Sequence, residues 1–339
     1  MFGCTTERVE KLLPFVVPDE DITPGVATWY ASVCGECPAG CGVWVRTREG
    51  RVVKVEGNPE HPISGGALCS RGYSSVQGFY NPDRLASPML RGPDGFSPIG
   101  WDEAEELLAE RLRGSQNNLF LAGKMGPALS ELVDNFLAST GGVRREWEGL
   151  SEAPLRAATD IAFGRNRLPT YDFGQARLVF SFGADFLETW LSPVEYHRGF
   201  SEMAGVDDHG SKGRLVFLAP RLSLTGQNAD HWVPLKPGSE AVVALAMAHV
   251  IVADGGDAGP YYQRLLEGYD PQSAQEASGV PAEEIERLAR EFNEGAPSLA
   301  VGPGVSGHHR GATAANLAVH ILNYVANNVG KTVRLRDVD

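Results

Sequence analysis

Four cysteines near the start of the chain place the strongest constraint on how it can fold. Cys34, Cys37 and Cys41 lie close together and Cys69 follows alone, giving the pattern Cys-x2-Cys-x3-Cys-x27-Cys. Disulfides suit small secreted scaffolds, whereas 339 residues can build a substantial core. A structural zinc site usually has two separated ligand pairs. Three clustered thiolates and a distant fourth favour a cubane [4Fe–4S] cluster, with zinc or disulfides as the alternatives.

The overall composition narrows the class of protein. Hydrophobic residues make up 42% and charged residues 22% of the chain, which are the values of an ordinary globular protein. A net charge of −13 argues against nucleic acid as a partner, because phosphate binding needs clustered Lys and Arg. The longest apolar run, residues 241–253, is shorter than the roughly 20 residues that span a bilayer and predicts a buried helix.

The first residues allow two interpretations. They lack the basic and apolar regions of a signal peptide, yet Gly3-Cys4 followed by a small polar residue resembles a bacterial lipoprotein cleavage site. In that interpretation Cys4 carries the lipid; in the other it is a lone exposed cysteine. Residues 1–27 are rich in proline and charge and are predicted to form an extended arm.

Residues 28–97 are predicted to form a compact, β-rich domain around the cysteines. Within residues 42–57, apolar side chains alternate on both sides of Glu49-Gly50, a pattern that indicates a β-hairpin. The turn-rich loop that follows leads to Cys69.

Residues 98–339 alternate short apolar strands with amphipathic helices. The first helix has Asp102 as its predicted N-cap and Glu105 as the capping-box partner. Strands are predicted at 118–123, 176–183, 213–220 and 297–304. Further helices are predicted near 127–139, 152–163, 239–254, 281–293 and 311–327. This alternation predicts an α/β fold with a doubly wound, mainly parallel sheet.

Each predicted strand runs into a polar loop. These loops are Gly123-Lys124, Gly183-Ala184-Asp185, Ala219-Pro220-Arg221 and Gly302-Pro303-Gly304. Loops at the carboxyl ends of such strands are where this architecture binds ligands. Residues 302–307 also fit the dinucleotide motif G-x-G-x-x-G, but the acidic residue expected about 20 positions later is missing, which makes NAD binding a minor alternative.

Several segments together resemble one protein family. CGECPAGCG followed by VVKVEGNPEHPISGGALCSRG is similar to the N-terminal iron–sulfur domain of the molybdopterin oxidoreductases, which include periplasmic nitrate reductases, formate dehydrogenases and polysulfide reductases. The resemblance continues through YNPDRLASPM, GWDEA and VGPGVSGHHRG. FGADFLETWLSP is most similar to members associated with alternative complex III and polysulfide reductase-like assemblies.

The resemblance implies an oxidoreductase electron-transfer module. In the family, a bis-pterin guanine dinucleotide cofactor holds molybdenum or tungsten, and a [4Fe–4S] cluster passes electrons to partner proteins. The four cysteines would hold the cluster and Arg71 would lie between the cluster and the pterin, unless Arg71 makes an ordinary surface salt bridge. The implied partners are a ferredoxin-like iron–sulfur subunit and a membrane quinone-interacting subunit, at a periplasmic, membrane-associated location.

The resemblance also assigns the cofactor contacts. Residues at positions that touch the guanosine and phosphate groups in the family are Gly183, Ala184, Asp185, Pro220, Arg221, Gly238, Ser239 and Glu240. His308 falls in a pterin-facing loop. A carboxylate such as Glu240 can accept two hydrogen bonds from a guanine edge, and Arg221 can pair with a phosphate. The segment 238–240 also fits a helix N-terminus, and both roles are compatible.

Two departures limit what the resemblance implies. The side chain that ligates the metal in the family corresponds nominally to Ser151, yet Ser151 with Pro154 also fits a helix N-cap. Complete catalytic members also continue for several hundred residues more. The chain is therefore expected to be a fragment, a split subunit whose pterin site a C-terminal partner chain completes, or a cofactor-free relative. The competing function is a structural electron-relay subunit of a membrane quinol-linked respiratory complex.

Overall fold

A computed structural model describes residues 23–115, 117–149, 152–206, 210–304 and 309–335. The chain divides into two compact units, of which the first ends at Arg84 and the second begins at Leu85. The domain boundaries predicted after residues 27 and 97 stay predictions. Residues 1–22, which include Cys4 and most of the predicted arm, lie outside the described residues.

The first unit is a three-stranded antiparallel sheet with one helix. Its strands are β1 (Ala27–Val33), β2 (Gly42–Arg48) and β3 (Arg51–Gly57), in that order across the sheet, and helix α1 (Ser70–Phe79) follows. Between β2 and β3, Glu49 and Gly50 both have positive φ, 51° and 77°. Two such residues form the tight turn that matches the twist of paired strands, and the predicted hairpin is confirmed.

The second unit begins with a hairpin and a small parallel ribbon. These elements are β4 (Met89–Gly92), β5 (Gly95–Pro98), α2 (Trp101–Gly114), β6 (Asn118–Ala122), α3 (Pro127–Thr140), β7 (Gly142–Glu146) and α4 (Ala153–Phe163). β6 and β7 pair in parallel, with Leu119 opposite Val143. Helix α3 buries Val133 and Leu137, whereas Leu119, Leu121 and Val143 are exposed.

The start of helix α2 differs from the sequence prediction. The helix begins at Trp101, and Gly100 occupies the N-cap position in an extended conformation. Asp102 therefore lies in the first turn and is not the cap, so Glu105 has no capping-box partner. The Asp102 carboxylate is still favourably placed, because the helix dipole stabilises negative charge in the first turn.

The main sheet has four parallel strands, ordered β11-β10-β9-β12. The remaining elements of the chain are β8 (Thr170–Tyr171), β9 (Leu178–Ser181), α5 (Pro193–Ala204), β10 (Arg214–Leu218), α6 (Leu224–Gln227), β11 (His231–Val233), α7 (Glu240–Ala253), α8 (Gly259–Leu266), α9 (Pro271–Ser278), α10 (Ala282–Glu294), β12 (Ser298–Val301), α11 (Ala312–Val325) and β13 (Val333–Arg334). In the register, Val179 of β9 lies opposite Leu215 of β10 and Leu299 of β12.

Side chains of the main sheet alternate between two cores, one on each face. Leu178 and Phe180 of β9 face the larger core, which α7, α10 and α11 complete. Val179 of the same strand faces the smaller core, which includes Tyr196 and Met203 of α5. Apolar side chains on both faces are typical of parallel sheets with helices on both sides. The predicted α/β fold class is confirmed.

Strand β12 lies at one end of the sheet order, and a side chain satisfies its outer backbone groups. Asn323 of α11 is buried; its Oδ1 accepts the Ala300 N–H at 3.0 Å and its Nδ2 donates to the Ala300 carbonyl at 2.8 Å. The amide thus replaces a neighbouring strand at this position. Among the described residues, no helix has the length and apolar character needed to cross a membrane.

Candidate functional site

The four cysteines come together because strand ends place them there. Cys34 follows β1 directly, Cys41 precedes β2 directly, and Cys37 lies in the turn between them. The Cys34 N–H donates to the Cys41 carbonyl at 2.8 Å, which closes that turn. Cys69 takes the N-cap position of α1. All four are free thiols; Cys41 is buried and the other three are partly exposed.

The thiols are close enough to influence one another's charge. The pKa of Cys41 is raised to about 11, mainly by burial and further by the charges of Cys37, Cys34 and Cys69. Burial is also the largest cause of the raised pKa of Cys34, with Cys37 and Cys69 contributing. Positive charge at this place is therefore needed to hold four thiolates together, and iron supplies it in a cluster.

Four thiolates are a ligand set for either one zinc ion or an iron–sulfur cluster. Within the described ranges, no group of three or more His, Cys, Asp or Glu side chains forms a site for a single metal ion. A cubane distributes its four thiolate ligands over four irons, so its ligands stand further apart than those of one zinc ion. The donor set fits a cluster in chemistry and in number.

Arg71 lies in the first turn of α1, two residues beyond Cys69, and its side chain is exposed. A cation at this end of a helix opposes the helix dipole, and the first turn holds no acidic residue to compensate. Placement of a positive charge here therefore has no stabilising role within the helix. The predicted role of Arg71 towards a negatively charged group is compatible with this placement and stays a prediction.

A second candidate site lies at the carboxyl ends of the main strands. Gly183, Ala184 and Asp185 follow β9, Pro220 and Arg221 follow β10, and Gly238, Ser239 and Glu240 lead from β11 into α7. An ion pair between Arg221 and Asp185 joins two of these loops. A hydrogen bond also connects the segment after β9 to the segment after β10, because Thr225 Oγ1 accepts the Leu187 N–H at 3.2 Å.

Two buried carboxylate oxygens at this edge lack a hydrogen-bond partner among the described residues. They are Asp185 Oδ1 and Glu240 Oε1, on side chains that are almost fully buried. Buried polar atoms are nearly always paired in folded proteins, and an unpaired one marks the position of a missing donor. Two acceptors without donors fit a ligand that presents N–H groups, as a guanine edge does.

The loop after β12 packs tightly on the loop after β9. A Cβ built on Gly304 would lie 1.9 Å from the carbonyl oxygen of Gly183, and Gly302 has a φ of +128°. Both glycines of the G-x-G part of the motif are therefore explained by backbone packing. The rest of that motif, residues 305–307, and His308 after it lie outside the described residues.

The nominal metal-ligand position, Ser151, also lies outside the described residues. Helix α4 starts at Ala153, and Glu152 takes the N-cap position that the alternative interpretation gave to Ser151. Glu152 accepts a hydrogen bond from Lys124 Nζ at 3.1 Å, and the Lys124 backbone N–H donates to Glu148 at 3.0 Å. The loop after β6 is thus tied to residues on both sides of position 151.

Comparison with known proteins decides the family. Residues 27–81 match the molybdopterin oxidoreductase Fe4S4 domain, and residues 84–334 match the molybdopterin oxidoreductase domain. The chain belongs to the molybdopterin oxidoreductase family. As a member of that family, it carries the two domains that indicate a [4Fe–4S] cluster and a molybdopterin cofactor.

This molybdopterin oxidoreductase chain spans about half, or less, of the relatives it matches. It is 30% identical to the menaquinone reductase, molybdopterin-binding-like subunit of Nitratidesulfovibrio vulgaris, over 92% of this chain and 46% of that protein. It is 27% identical to the arsenate respiratory reductase molybdopterin-containing subunit of Shewanella sp., over 88% of this chain and 40% of that protein. The fold is similar to acetylene hydratase from Pelobacter acetylenicus, with a TM-score of 0.71, 19% identity and coverage of 90% and 44%.

Proposed function

We propose that the chain is the N-terminal electron-transfer module of a molybdopterin-type oxidoreductase. Cys34, Cys37, Cys41 and Cys69 hold one [4Fe–4S] cluster, which exchanges electrons with partner redox proteins. When bound, a bis-pterin molybdenum or tungsten cofactor supplies the two-electron chemistry. The observation that carries the proposal is the pair of buried carboxylate oxygens at the strand ends, Asp185 Oδ1 and Glu240 Oε1, which lack a donor among the described residues and fit a nucleotide-bearing cofactor in addition to the cluster.

In this function the strand-end residues bind and orient the nucleotide end of the cofactor. Asp185 and Glu240 accept hydrogen bonds from the guanine edge. Arg221, 63% exposed while its guanidinium contacts Asp185, has donors left for a phosphate. Gly183 and Gly238, both with positive φ, give the loops their turns without bulky side chains. Arg71 supplies positive charge beside the cluster, where it favours the reduced state and bridges to an anionic pterin.

Electron paramagnetic resonance of the anaerobically purified chain tests the cluster. A reduced-cluster signal is expected in the wild type and in Cys4→Ser, and its loss is expected in Cys69→Ser. The fifth cysteine serves as the matched control, because its substitution removes a thiol of the same chain outside the motif. A signal that survives in Cys69→Ser would remove that residue from the ligand set.

One observation favours a second candidate, a structural electron-relay subunit without pterin. The relative from Nitratidesulfovibrio vulgaris is named a molybdopterin-binding-like subunit. Within the strand-end site, Asp185 is already paired on one side by Arg221, so the buried carboxylate is partly stabilised without a ligand. Metal and pterin analysis of the native assembly separates the two functions: molybdenum or tungsten with pterin supports catalysis, and iron alone supports the relay.

We further propose that additional polypeptide covers the open face of the β6–β7 ribbon and helps to complete the pterin site. Leu119, Leu121 and Val143 are each more than half exposed, and a two-stranded ribbon is marginal in water without cover. Amide hydrogen exchange in residues 118–122 is expected to be slower in the native assembly than in the 339-residue chain. Residues 214–218, in the middle of the main sheet, are the control and should exchange equally in both.

A ferredoxin-like iron–sulfur subunit is the proposed electron partner, with a membrane quinone-interacting subunit beyond it. A groove of about 520 Å³, lined by valines of β2 and β3 and by Phe79, opens beside Cys34 and offers an apolar contact next to the cluster. Exposed Tyr30 on the edge strand β1, which lies opposite Val45 in the register, adds to this surface. A periplasmic, membrane-associated location is proposed with these partners, and cell fractionation tests it.

A further inference from the structure

One loop connects the cysteine triplet to the distant fourth cysteine. Residues 58–67 leave the end of β3 and lead to Cys69. The Asn58 N–H donates to the Gly42 carbonyl at 3.0 Å, so the loop starts against the residue that follows Cys41. The Gly66 N–H donates back to the Asn58 carbonyl at 2.9 Å and closes the loop.

His61 packs directly on the exit of the cysteine triplet. A Cβ built on Gly42 would lie 2.5 Å from both Cγ and Cδ2 of the His61 ring. Carbon atoms do not approach this closely, so the imidazole occupies the space that any side chain at position 42 would need. Gly42 has no positive φ, and the requirement for glycine is therefore one of space.

The same histidine holds the segment that leads to Cys69. His61 Nδ1 accepts the Ser64 backbone N–H at 3.2 Å and lies 3.0 Å from Ser64 Oγ. Because a backbone N–H can only donate, Nδ1 is the acceptor and the neutral ring carries its proton on Nε2. Ser64 is fully buried, so this contact is shielded from water.

A contact elsewhere in the loop does not involve His61. A Cβ built on Gly57 would lie 2.2 Å from the carbonyl oxygen of Gly66, which shows that the end of β3 packs tightly on the loop's far end. This contact and the backbone hydrogen bonds maintain the loop's path. The particular contribution of His61 is to link the Gly42 side of the loop to Ser64.

We propose that His61 is a positioning residue for the iron–sulfur cluster. Its ring face fixes the backbone beside Cys41, and its Nδ1 fixes the buried segment before Cys69. One side chain thereby links the backbone beside the first three thiolates to the segment before the fourth. Outer contacts of this kind orient ligands and tune the bound metal. The inference rests on the proposed assignment of the cluster to the four cysteines.

Three substitutions separate the two contacts of His61. His61→Phe keeps a ring on Gly42 and removes the acceptor, His61→Asn keeps an acceptor near Nδ1 and removes the ring, and His61→Ala removes both. In the full chain, His61→Ala is expected to retain its iron at purification but to release it to a chelator about tenfold faster or more. Its midpoint potential and electron paramagnetic resonance line shape are expected to change, and each partial variant should lie between His61→Ala and wild type.

A double substitution tests the contact with Gly42. Gly42→Ala is expected to lower iron occupancy because its Cβ meets the imidazole, and His61→Ala in the same chain should restore occupancy to the level of His61→Ala alone. Gly57→Ala is the matched control: its Cβ meets backbone, so His61→Ala should not rescue it. If Gly42→Ala does not fold, refolding of the double variant gives the same answer.

The possible outcomes are distinguishable. A wild-type chain with a cluster, together with a His61→Ala variant of unchanged potential, line shape and iron release, overturns the role of His61 and leaves the cluster assignment intact. Failure of His61→Ala to rescue Gly42→Ala overturns the ring contact. A wild-type chain without iron overturns the cluster assignment and this inference together.

Discussion

Substitution of Glu240 by glutamine is expected to have opposite effects on stability and on ligand binding. Glu240 is the first residue of α7 and only 2% exposed, and its Oε1 has no hydrogen-bond partner among the described residues. The buried carboxylate is therefore unfavourable in the chain without ligand. Glu240→Gln removes the charge and keeps the size of the side chain.

The expected change in the free energy of unfolding on Glu240→Gln is the sum of two opposing contributions. An unpaired buried polar atom costs about 1–3 kcal/mol of folding free energy, and a charged one more. Glutamine leaves a neutral polar atom unpaired at the same place, so the substitution recovers only the extra cost of the charge, about 2 kcal/mol. Loss of a negative charge at a helix N-terminus costs about 0.3–1 kcal/mol. The net gain is about 1–2 kcal/mol, which raises the Tm of a domain of this size by roughly 2–8 °C.

Ligand binding, in contrast to stability, should become weaker on Glu240→Gln. A hydrogen bond to a charged group contributes about 1.5–3 kcal/mol, so Glu240→Gln should weaken guanosine diphosphate binding roughly 10- to 100-fold. Thermal unfolding and equilibrium dialysis measure the two effects. Glu283→Gln is the matched control, because Glu283 is an exposed carboxylate in the first turn of α10. A less stable Glu240→Gln variant, or one that binds guanosine diphosphate as the wild type does, would refute the reasoning.

Three further predictions concern His320, Asn323 and Arg221. Burial lowers the pKa of His320 from 6.5 to about 4, so the imidazole binds a proton more strongly in the unfolded chain than in the folded one. The free energy of unfolding should therefore fall by about 3 kcal/mol as the pH drops from 6.5 to 4. In urea unfolding, His320→Leu should lack this dependence on pH. Asn323→Ala leaves the Ala300 N–H and carbonyl unpaired and should cost about 2–6 kcal/mol in the same assay; a loss below about 1 kcal/mol would contradict the edge-strand role. Arg221→Ala leaves Asp185 buried without its cation and should cost about 1–3 kcal/mol, which Asp185→Asn in the same chain should recover.

The sequence predicted those parts of the fold that repeat a strong local pattern. The four short apolar strands β6, β9, β10 and β12 and the helices α3, α4, α7, α10 and α11 were all expected, and the structure has them within a few residues. Strands β7 and β11 were missed. They are short and carry Arg144, Arg145 and His231, so only their neighbours in the sheet make them strands.

The start of helix α2 and the whole of helix α5 show a second limit of prediction from the sequence. Asp102 had the residue type and spacing of a cap, but the helix already begins at Trp101, with Gly100 at the N-cap position in an ordinary extended conformation. Helix α5 starts at Pro193, in a segment for which no helix was predicted. It packs against the small core through Tyr196 and Met203, and such packing supplies most of the stability of a helix in a protein.

For the candidate site, the sequence could name ligands but not the contacts that support them. Cysteine spacing alone indicated the cluster, because the chemistry requires that set of thiols. The contact of His61 with Gly42 joins positions that are remote in sequence, and no local pattern marks it. The ion pair between Arg221 and Asp185 could not be predicted from the sequence either, although both residues were predicted to bind the cofactor. That role and the metal-ligand role of Ser151 stay predictions.

Iron, zinc and acid-labile sulfide measured together on the anaerobically purified chain test the central claim most directly. The account predicts about four irons and about four sulfides per chain, a brown protein, and a paramagnetic signal on reduction. Colourless protein with about one zinc per chain would contradict it.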